Sequence, residues 1–453
     1  MWGAGVGLVL GGADKGVVVH AFGRKIYQPD DVLRFPLPSL ISYSKPCLKS
    51  DSQSKGKLVR LSRKITAVAV AIAASGAALT ACSNTSDTAT DASASGSSAA
   101  LTVTDVAGRT VEFDKQPERV LLGEGRAMFA ASILDKENPG EHIVALGEDL
   151  HKAAPSFEAK LFEAHPEIKD IPVIGHIAKG NVSVENLLAF NPDVVVMTLD
   201  HKKAAEQNGF LAKMDQAGMK YVFTDFRQKP LENTTKSVEV LGAVLGEQDK
   251  AKEFNEFYTK KRDDIIARAE KLENKPRTLL WRAAGLKDCC NTVKNSNLGD
   301  LVNAAGGINI GDTLLDTESG DLTAEKVIAE QPEKIIATGG AWAKDPKKPE
   351  VLPHVELGYT ATDDVAERTL EGLLKTPGFS TLEAPKKGDL HAVFHQFYDS
   401  PYNIFALEQF AQWLHPEEFK DLDAVKDFQE FHKKWMPFEF SGVFFVTDKV
   451  EAK

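Results

Sequence analysis

Residues 183–198, SVENLLAFNPDVVVMT, decide the fold: Val184–Phe190 reads as a helix and Val194–Thr198 as a β-rich apolar strand. Outward from this pair the same alternation continues. Towards the C-terminus come a helix at Lys202–Gly218 and a strand at Tyr221–Phe226; towards the N-terminus come strands at Pro172–Ile174, Ile143–Leu146 and Val120–Leu122 and a helix at Arg126–Leu134. Short strands alternating with helices predict a mostly parallel sheet, and they define a first lobe at 101–233.

From Thr234 to Asn274 the chain contains no proline, and Val238, Leu241, Leu245, Phe254, Tyr258, Ile265 and Leu272 recur at near-helical spacing. This predicts a connector of one or two long helices over 234–274, ended at Asn274-Lys275-Pro276. The alternation then resumes in a second lobe at 275–453, with strands at Thr278–Trp281, Lys334–Thr338 and His391–Phe394 and helices at Asn297–Ala305, Thr323–Glu330 and Asn403–Leu414. The expected fold is α/β: two Rossmann-like lobes joined by a long helical connector, with a ligand cleft between them and the binding domain at about 119–420. Loops after Leu122, Ile174, Phe226, Trp281 and Phe394 would line that cleft, because ligands in such sheets lie outside the carboxyl ends of the strands. Asp363 and Asp364 fall in a polar stretch that reads as a solvated turn.

Composition narrows the function. Hydrophobic content of 43% and charged content of 26% are those of an ordinary globular protein. A formal net charge of -11 argues against a nucleic-acid partner, which requires basic surface to displace counterions. Of the four cysteines only Cys289 and Cys290 fall in the folded part; adjacent in sequence, they either pair with each other or remain thiols, and no C-x-x-C or His pair accompanies them to make a metal site.

The N-terminal region carries an address. Lys57–Cys82, KLVRLSRKITAVAVAIAASGAALTAC, has a basic start, an apolar run too short and Ala-rich to span a bilayer, and a small-residue region ending in cysteine. It resembles a bacterial lipoprotein signal at 58–81, with Cys82 as the lipid-bearing first residue of the mature protein. Residues 82–100 follow with the composition of a flexible tether. Residues 1–57 fit nothing in this scheme and are expected to be a leader preceding the true start near Leu58 or Val59. Their glycines miss the G-x-G-x-x-G spacing of a nucleotide loop.

Several segments resemble, in order, the solute-binding lipoproteins of ABC importers for ferric siderophores, haem and cobalamin. They are VTDVAGRTV at 103–111 with QPERV at 116–120, SVENLLAFNPDVV at 183–195, LGDLVNAAGGIN at 298–309, and the closing WLHPE at 413–417. The resemblance spans nearly all of 101–435. It implies a two-lobed periplasmic-binding fold of class III type, no enzymatic activity, no intrinsic cofactor, and a small-molecule iron complex as transported ligand. It implies an ABC permease dimer with its ATPase as partners, and attachment by lipid to the outer face of the cytoplasmic membrane. It also implies that Glu185 and Glu325, one near a helix start in each lobe, dock onto arginines of the permease. Early helical glutamates equally serve the N-terminal dipole.

Arg126, Arg227 and Arg282 each follow a predicted strand, where side chains reach the cleft. Three converging guanidiniums suit an anionic iron chelate through charge-assisted, bidentate hydrogen bonds, whereas any one of them alone reads as readily as a salt bridge. Further ligand-binding candidates are Trp281, Tyr398, Tyr402 and His176, with Trp342 beside them and with His395 or Tyr398 able to reach a metal. Trp281 and Tyr402 fit a core as well as a contact. Haem, cobalamin and a free divalent metal remain alternative cargoes, although His176, His201, His354 and His395 are scattered in sequence. An extracytoplasmic enzyme is the remote alternative, since the folded part has no G-x-S-x-G, H-E-x-x-H or P-loop.

Overall fold

The buried apolar strands sort into two five-stranded sheets in a computed structural model that describes residues 101–286, 289–342 and 354–449. The signal-like segment, Cys82 and the tether lie outside these residues. The strands are β1 Leu101–Thr104, β2 Thr110–Phe113, β3 Val120–Leu122, β4 Ile143–Gly147, β5 Val173–Ile174, β6 Val194–Thr198 and β7 Tyr221–Thr224, followed by β8 Arg277–Trp281, β9 Asn291–Val293, β10 Ile308–Asn309, β11 Ser319–Asp321, β12 Lys334–Gly339, β13 Leu390–Phe394 and β14 Phe445–Thr447.

The first sheet has the order β5-β4-β3-β6-β7 and is parallel throughout. Helices on both faces explain why β3, β6 and β7 are buried along their whole length and read as continuous apolar runs. The second sheet has the order β10-β8-β12-β13-β14, parallel except for the antiparallel edge strand β14. Two antiparallel pairs, β1-β2 and β9-β11, were not legible as strands in the sequence.

Three helical expectations are corrected. The helix predicted at Lys202–Gly218 is two helices, Leu199–Gln207 and Phe210–Gln216, because Gly209 takes φ +73° between them. The connector begins earlier than predicted, at Pro230, since proline suits the first helical turn. It runs as Pro230–Leu245 and Gln248–Ala269, parted at Gly246 with φ +80°. Asp363 and Asp364 are not in a turn but open the helix Asp363–Gly372, where acidic groups favour the positive end of the dipole. Cys289 and Cys290 are joined in a disulfide.

The connector is tied to the second lobe through buried polar bonds. Tyr258 donates its hydroxyl to Asn403 at 2.7 Å, and Asn403 donates to Thr234 at 2.8 Å. One turn further along helix Asn403–Leu414, the fully buried Glu408 meets Lys261 at 2.7 Å. Burial pushes the Glu408 carboxyl up to about 7, against the pull of Lys261. A carboxyl raised in the folded state stabilises fully below its unfolded pKa, and that contribution is lost as pH rises through about 7. Glu408→Gln is therefore expected to gain on the parent by about 1–3 kcal/mol between pH 5 and 8 in urea unfolding. A parent-to-variant difference that does not change with pH would refute this.

Candidate functional site

Each sheet reverses its strand order at one point, and the crevice outside the strand ends there is the natural ligand position. In the first sheet this point lies between β3 and β6, followed by Glu124 with Arg126 and by Asp200 with His201. In the second it lies between β8 and β12, followed by Arg282 and Trp342. The short 3-10 helix after β13, His395–Asp399, adds His395, Tyr398 and Asp399.

Tyr398 is the meeting place. The guanidinium carbons of Arg126, Arg227 and Arg282 lie 5.4, 5.2 and 5.8 Å from its ring centroid. Three arginines separated by up to 156 positions (282 − 126) are thus brought to one aromatic ring from both lobes. Local structure places each of them. Gly125 is packed so closely on Gly147 that a Cβ would stand 2.2 Å from the carbonyl oxygen. That approach lets Asp149 accept from the amides of Gly125 and Arg126 at 2.7 and 3.1 Å. Buried Asp225 accepts from the amides of Arg227, Gln228 and Lys229 at 2.9, 2.7 and 3.0 Å, which shapes the turn after β7. The amide of Arg282 donates to Asn291 O at 2.8 Å, holding the turn after β8 against β9.

The three cations differ in how far they are neutralised. Arg126 is buried and bonded to Asp149 at 2.9 Å, to Gln396 at 3.2 Å, to Asp399 at 3.0 Å, and to Glu124 and the Tyr398 hydroxyl. Since Gln396, Tyr398 and Asp399 belong to the second lobe, Arg126 is an interlobe clasp. Arg227 is bonded to Glu124, Asp200 and Asp399. Among the described residues Arg282 has no carboxylate partner: its side chain donates to Asn291 Oδ1 at 3.1 Å, and its Nε is without a partner.

The acids were missed by sequence reasoning. Glu124 lies two residues before Arg126 and Asp399 beside Tyr398, so proximity to the flagged residues was the signal. Burial opposes ionisation of Glu124, but Arg126 and Arg227 outweigh it and hold the carboxyl well below its usual range. Burial pushes Asp399 well above the carboxylate range, beyond what the two arginines pull back, and the Glu124 charge adds to the rise. Burial also lowers His395, assisted by Arg282, Arg126 and Arg227, so this imidazole is neutral while bonded to the Thr338 hydroxyl at 2.6 Å.

The remaining candidates divide. Trp342 stands 5.3 Å from His354 and 5.2 Å from His395, and His395 lies 4.6 Å from Tyr398, measured between ring centroids. His176 and His201 meet at 4.8 Å, so histidines scattered in sequence form two groups in space. Trp281 and Tyr402 are corrections: neither reaches the cleft. Trp281 is 1% exposed, edge-on to Phe379 in the core, because the last residue of a doubly covered strand points into a helix layer. Tyr402 is likewise 1% exposed and donates to Phe129 O at 2.8 Å. Glu185 and Glu325 are both exposed in the first turns of helices Val184–Leu188 and Ala324–Glu330. Ser183 and Thr323 cap these helices; backbone amides first, and then the two capping hydroxyls, hold the carboxyls below their usual range.

Two α/β lobes closing on a charged cleft define a binding protein. A family profile described as periplasmic binding protein matches residues 150–393, and the chain belongs to that family, the substrate-binding proteins of ABC importers. Proteins of this class are extracytoplasmic, non-enzymatic transport components that work with a permease and its ATPase. Among solved structures, the TroA-like periplasmic binding protein FepB from Veillonella parvula is 30% identical over 77% of this chain and 100% of its own, with a TM-score of 0.70. MolA from Haemophilus influenzae, bound to molybdate, is 15% identical over 75% of this chain and 99% of its own, with a TM-score of 0.57. CeuE from Helicobacter pylori, in a nickel–histidine complex, is 16% identical over 75% and 96%, with a TM-score of 0.53. The last two show the fold alone. No curated protein matches the chain. Among the described residues no helix is long and apolar enough to cross a membrane.

Proposed function

We propose that this chain is the lipid-anchored receptor of an ABC importer for a ferric siderophore or a similar anionic iron chelate. The observation that carries this reading is the convergence of three guanidiniums on Tyr398, with Arg282 lacking a carboxylate partner among the described residues. An anionic chelate would take Arg282 outright and compete with Asp200 and Asp399 for Arg227, while Arg126 holds the lobes together. The tyrosine ring offers a stacking surface for an aromatic catecholate.

The anchor is Cys82. The docking groups are Glu185 and Glu325. In βα units the helix runs antiparallel to the strands, so the first turns of the helices preceding β6 and β12 lie at the same end of each sheet as the cleft. Two carboxylates beside the ligand mouth suit a permease that must grip both lobes and receive the cargo between them.

Intrinsic tryptophan fluorescence tests the reading, because Trp342 lies beside His395, which in turn lies beside Tyr398. Saturable quenching by ferric catecholate or ferric citrate, exceeding that by haemin, cobalamin or bare divalent metals, is expected. Quenching by none of the ferric chelates would sink the assignment. Glu185→Lys with Glu325→Lys should leave quenching intact and abolish stimulation of the importer's ATPase; retained stimulation would remove the docking role. Cys82→Ser should release the protein from membranes, and membrane retention would remove the anchor.

A further inference from the structure

Among the described residues, one group has the donors and spacing to hold a metal ion: Glu124, Asp200 and His201, with one ligand atom from each lying within 4.8 Å of the others. Glu124 follows β3 and the other two follow β6, so the group sits at the switch point of the first sheet. Of these residues the sequence reading weighed only His201 for a divalent metal, and neither acid.

Acidic side chains in a cleft do not by themselves make a cation site. Here two nearly closed-off atoms point to one. Glu124 is 3% exposed and its Oε2 has no hydrogen-bond partner; His201 is 2% exposed and its Nδ1 has none either. A buried carboxylate oxygen and a buried imidazole nitrogen left without partners each carry a desolvation penalty unless something fills them. The His176 ring lies 4.8 Å from that of His201, and its Nδ1 is also unpartnered, which offers a second imidazole.

Arg227 weakens the hold on a cation bound alone without closing the site to it. It bonds both Asp200 and Glu124, through Asp200 Oδ2 and Glu124 Oε1. It leaves Glu124 Oε2 open, and Asp200 Oδ1 accepts only from the neutral hydroxyl of Thr198 among the described residues. An anionic chelator that draws Arg227 towards itself would free these carboxylates further. Cation and anion would therefore bind cooperatively, each relieving the charge that opposes the other.

We propose that Glu124, Asp200 and His201 ligate the metal of the bound complex directly, filling coordination positions that the chelator leaves open. The inference rests on the iron-chelate reading above and adds which atoms meet the metal. A mixed carboxylate and imidazole set suits a first-row transition ion and disfavours calcium or magnesium, which take oxygen alone.

The full-length chain titrated with Co2+ alone reports the site by visible d–d absorption, and ferric citrate is titrated in parallel by fluorescence. One Co2+ per chain is expected, weakened on the order of a hundredfold by His201→Ala and by the more exposed Asp200→Asn, and unchanged by Arg282→Ala. Ferric citrate should lose affinity in all three variants. Absence of one-to-one Co2+ binding, or Co2+ binding equal in parent and both first-lobe variants, would overturn the site, and the chelate reading would survive if ferric citrate still quenched. Co2+ binding lost in both first-lobe variants, with no iron chelate binding at all, would keep these residues as metal ligands but overturn their role towards a chelate together with that reading.

Discussion

Replacing Arg126 by alanine is expected to destabilise the protein by about 3–5 kcal/mol, the largest effect of any single substitution in the cleft. The reason is what would be left behind. Glu124 and Asp399 are 3% and 4% exposed, Asp149 accepts from the Arg126 side chain at 2.9 Å, and Arg126 bonds all three acids, with Arg227 bonding Glu124 and Asp399 beside it. Removal leaves Asp149 without its cation and Glu124 with Arg227 alone in a buried site, which is more costly than loss of an exposed ion pair. Two second-lobe bonds, to Gln396 and Tyr398, are lost with it. Urea unfolding of parent and variant measures the loss. Adding Glu124→Gln to Arg126→Ala should recover part of it, because one buried carboxylate that has lost one of its two cations disappears; non-additivity of this kind is expected for groups in one network. A loss below about 1 kcal/mol would show that the clasp is open to water in solution.

Arg282→Ala should do the opposite: leave stability nearly unchanged and weaken binding of an anionic ferric chelate about ten- to a hundredfold. The side chain donates one hydrogen bond, to Asn291 at 3.1 Å, and balances no carboxylate among the described residues, so the fold loses little. Its Nε is buried without a partner, and burial lowers its pKa, with Tyr398 opposing and Arg227 adding to the fall. A ligand carboxylate or catecholate would relieve both conditions, and a charge-assisted bond contributes about 1.5–3 kcal/mol. Arg282→Lys should fall between the two, since it keeps the charge and loses the planar fork. Unchanged affinity for ferric citrate in Arg282→Ala would move the anion site elsewhere in the cleft.

These two arginines look alike in the sequence: each follows a strand, and each was assigned to the ligand on that ground. The structure separates them by the acids around them. Arg126 has Asp149 from the start of the helix after β4 and Asp399 from the other lobe, partners 23 and 273 positions away, whereas the Arg282 side chain donates only to Asn291 among the described residues. No local pattern reports on partners at such separations.

The α/β alternation, the strand ends and the placement of Arg126, Arg227 and Arg282 after strands were legible in the sequence, because period-2 and period-3.6 patterns arise from neighbours along the chain. So was family membership, through segments in unchanged order. The antiparallel pairs β1-β2 and β9-β11, the inward burial of Trp281 and Tyr402, and the approach of His176 to His201 were decided by tertiary structure alone. A strand covered on both faces is apolar at every position, so periodicity cannot tell which side chain at its end turns to the core and which to the cleft. The meeting of three cations with four acids around Tyr398 joins residues of both lobes, and only their tertiary arrangement shows which charges remain for a ligand.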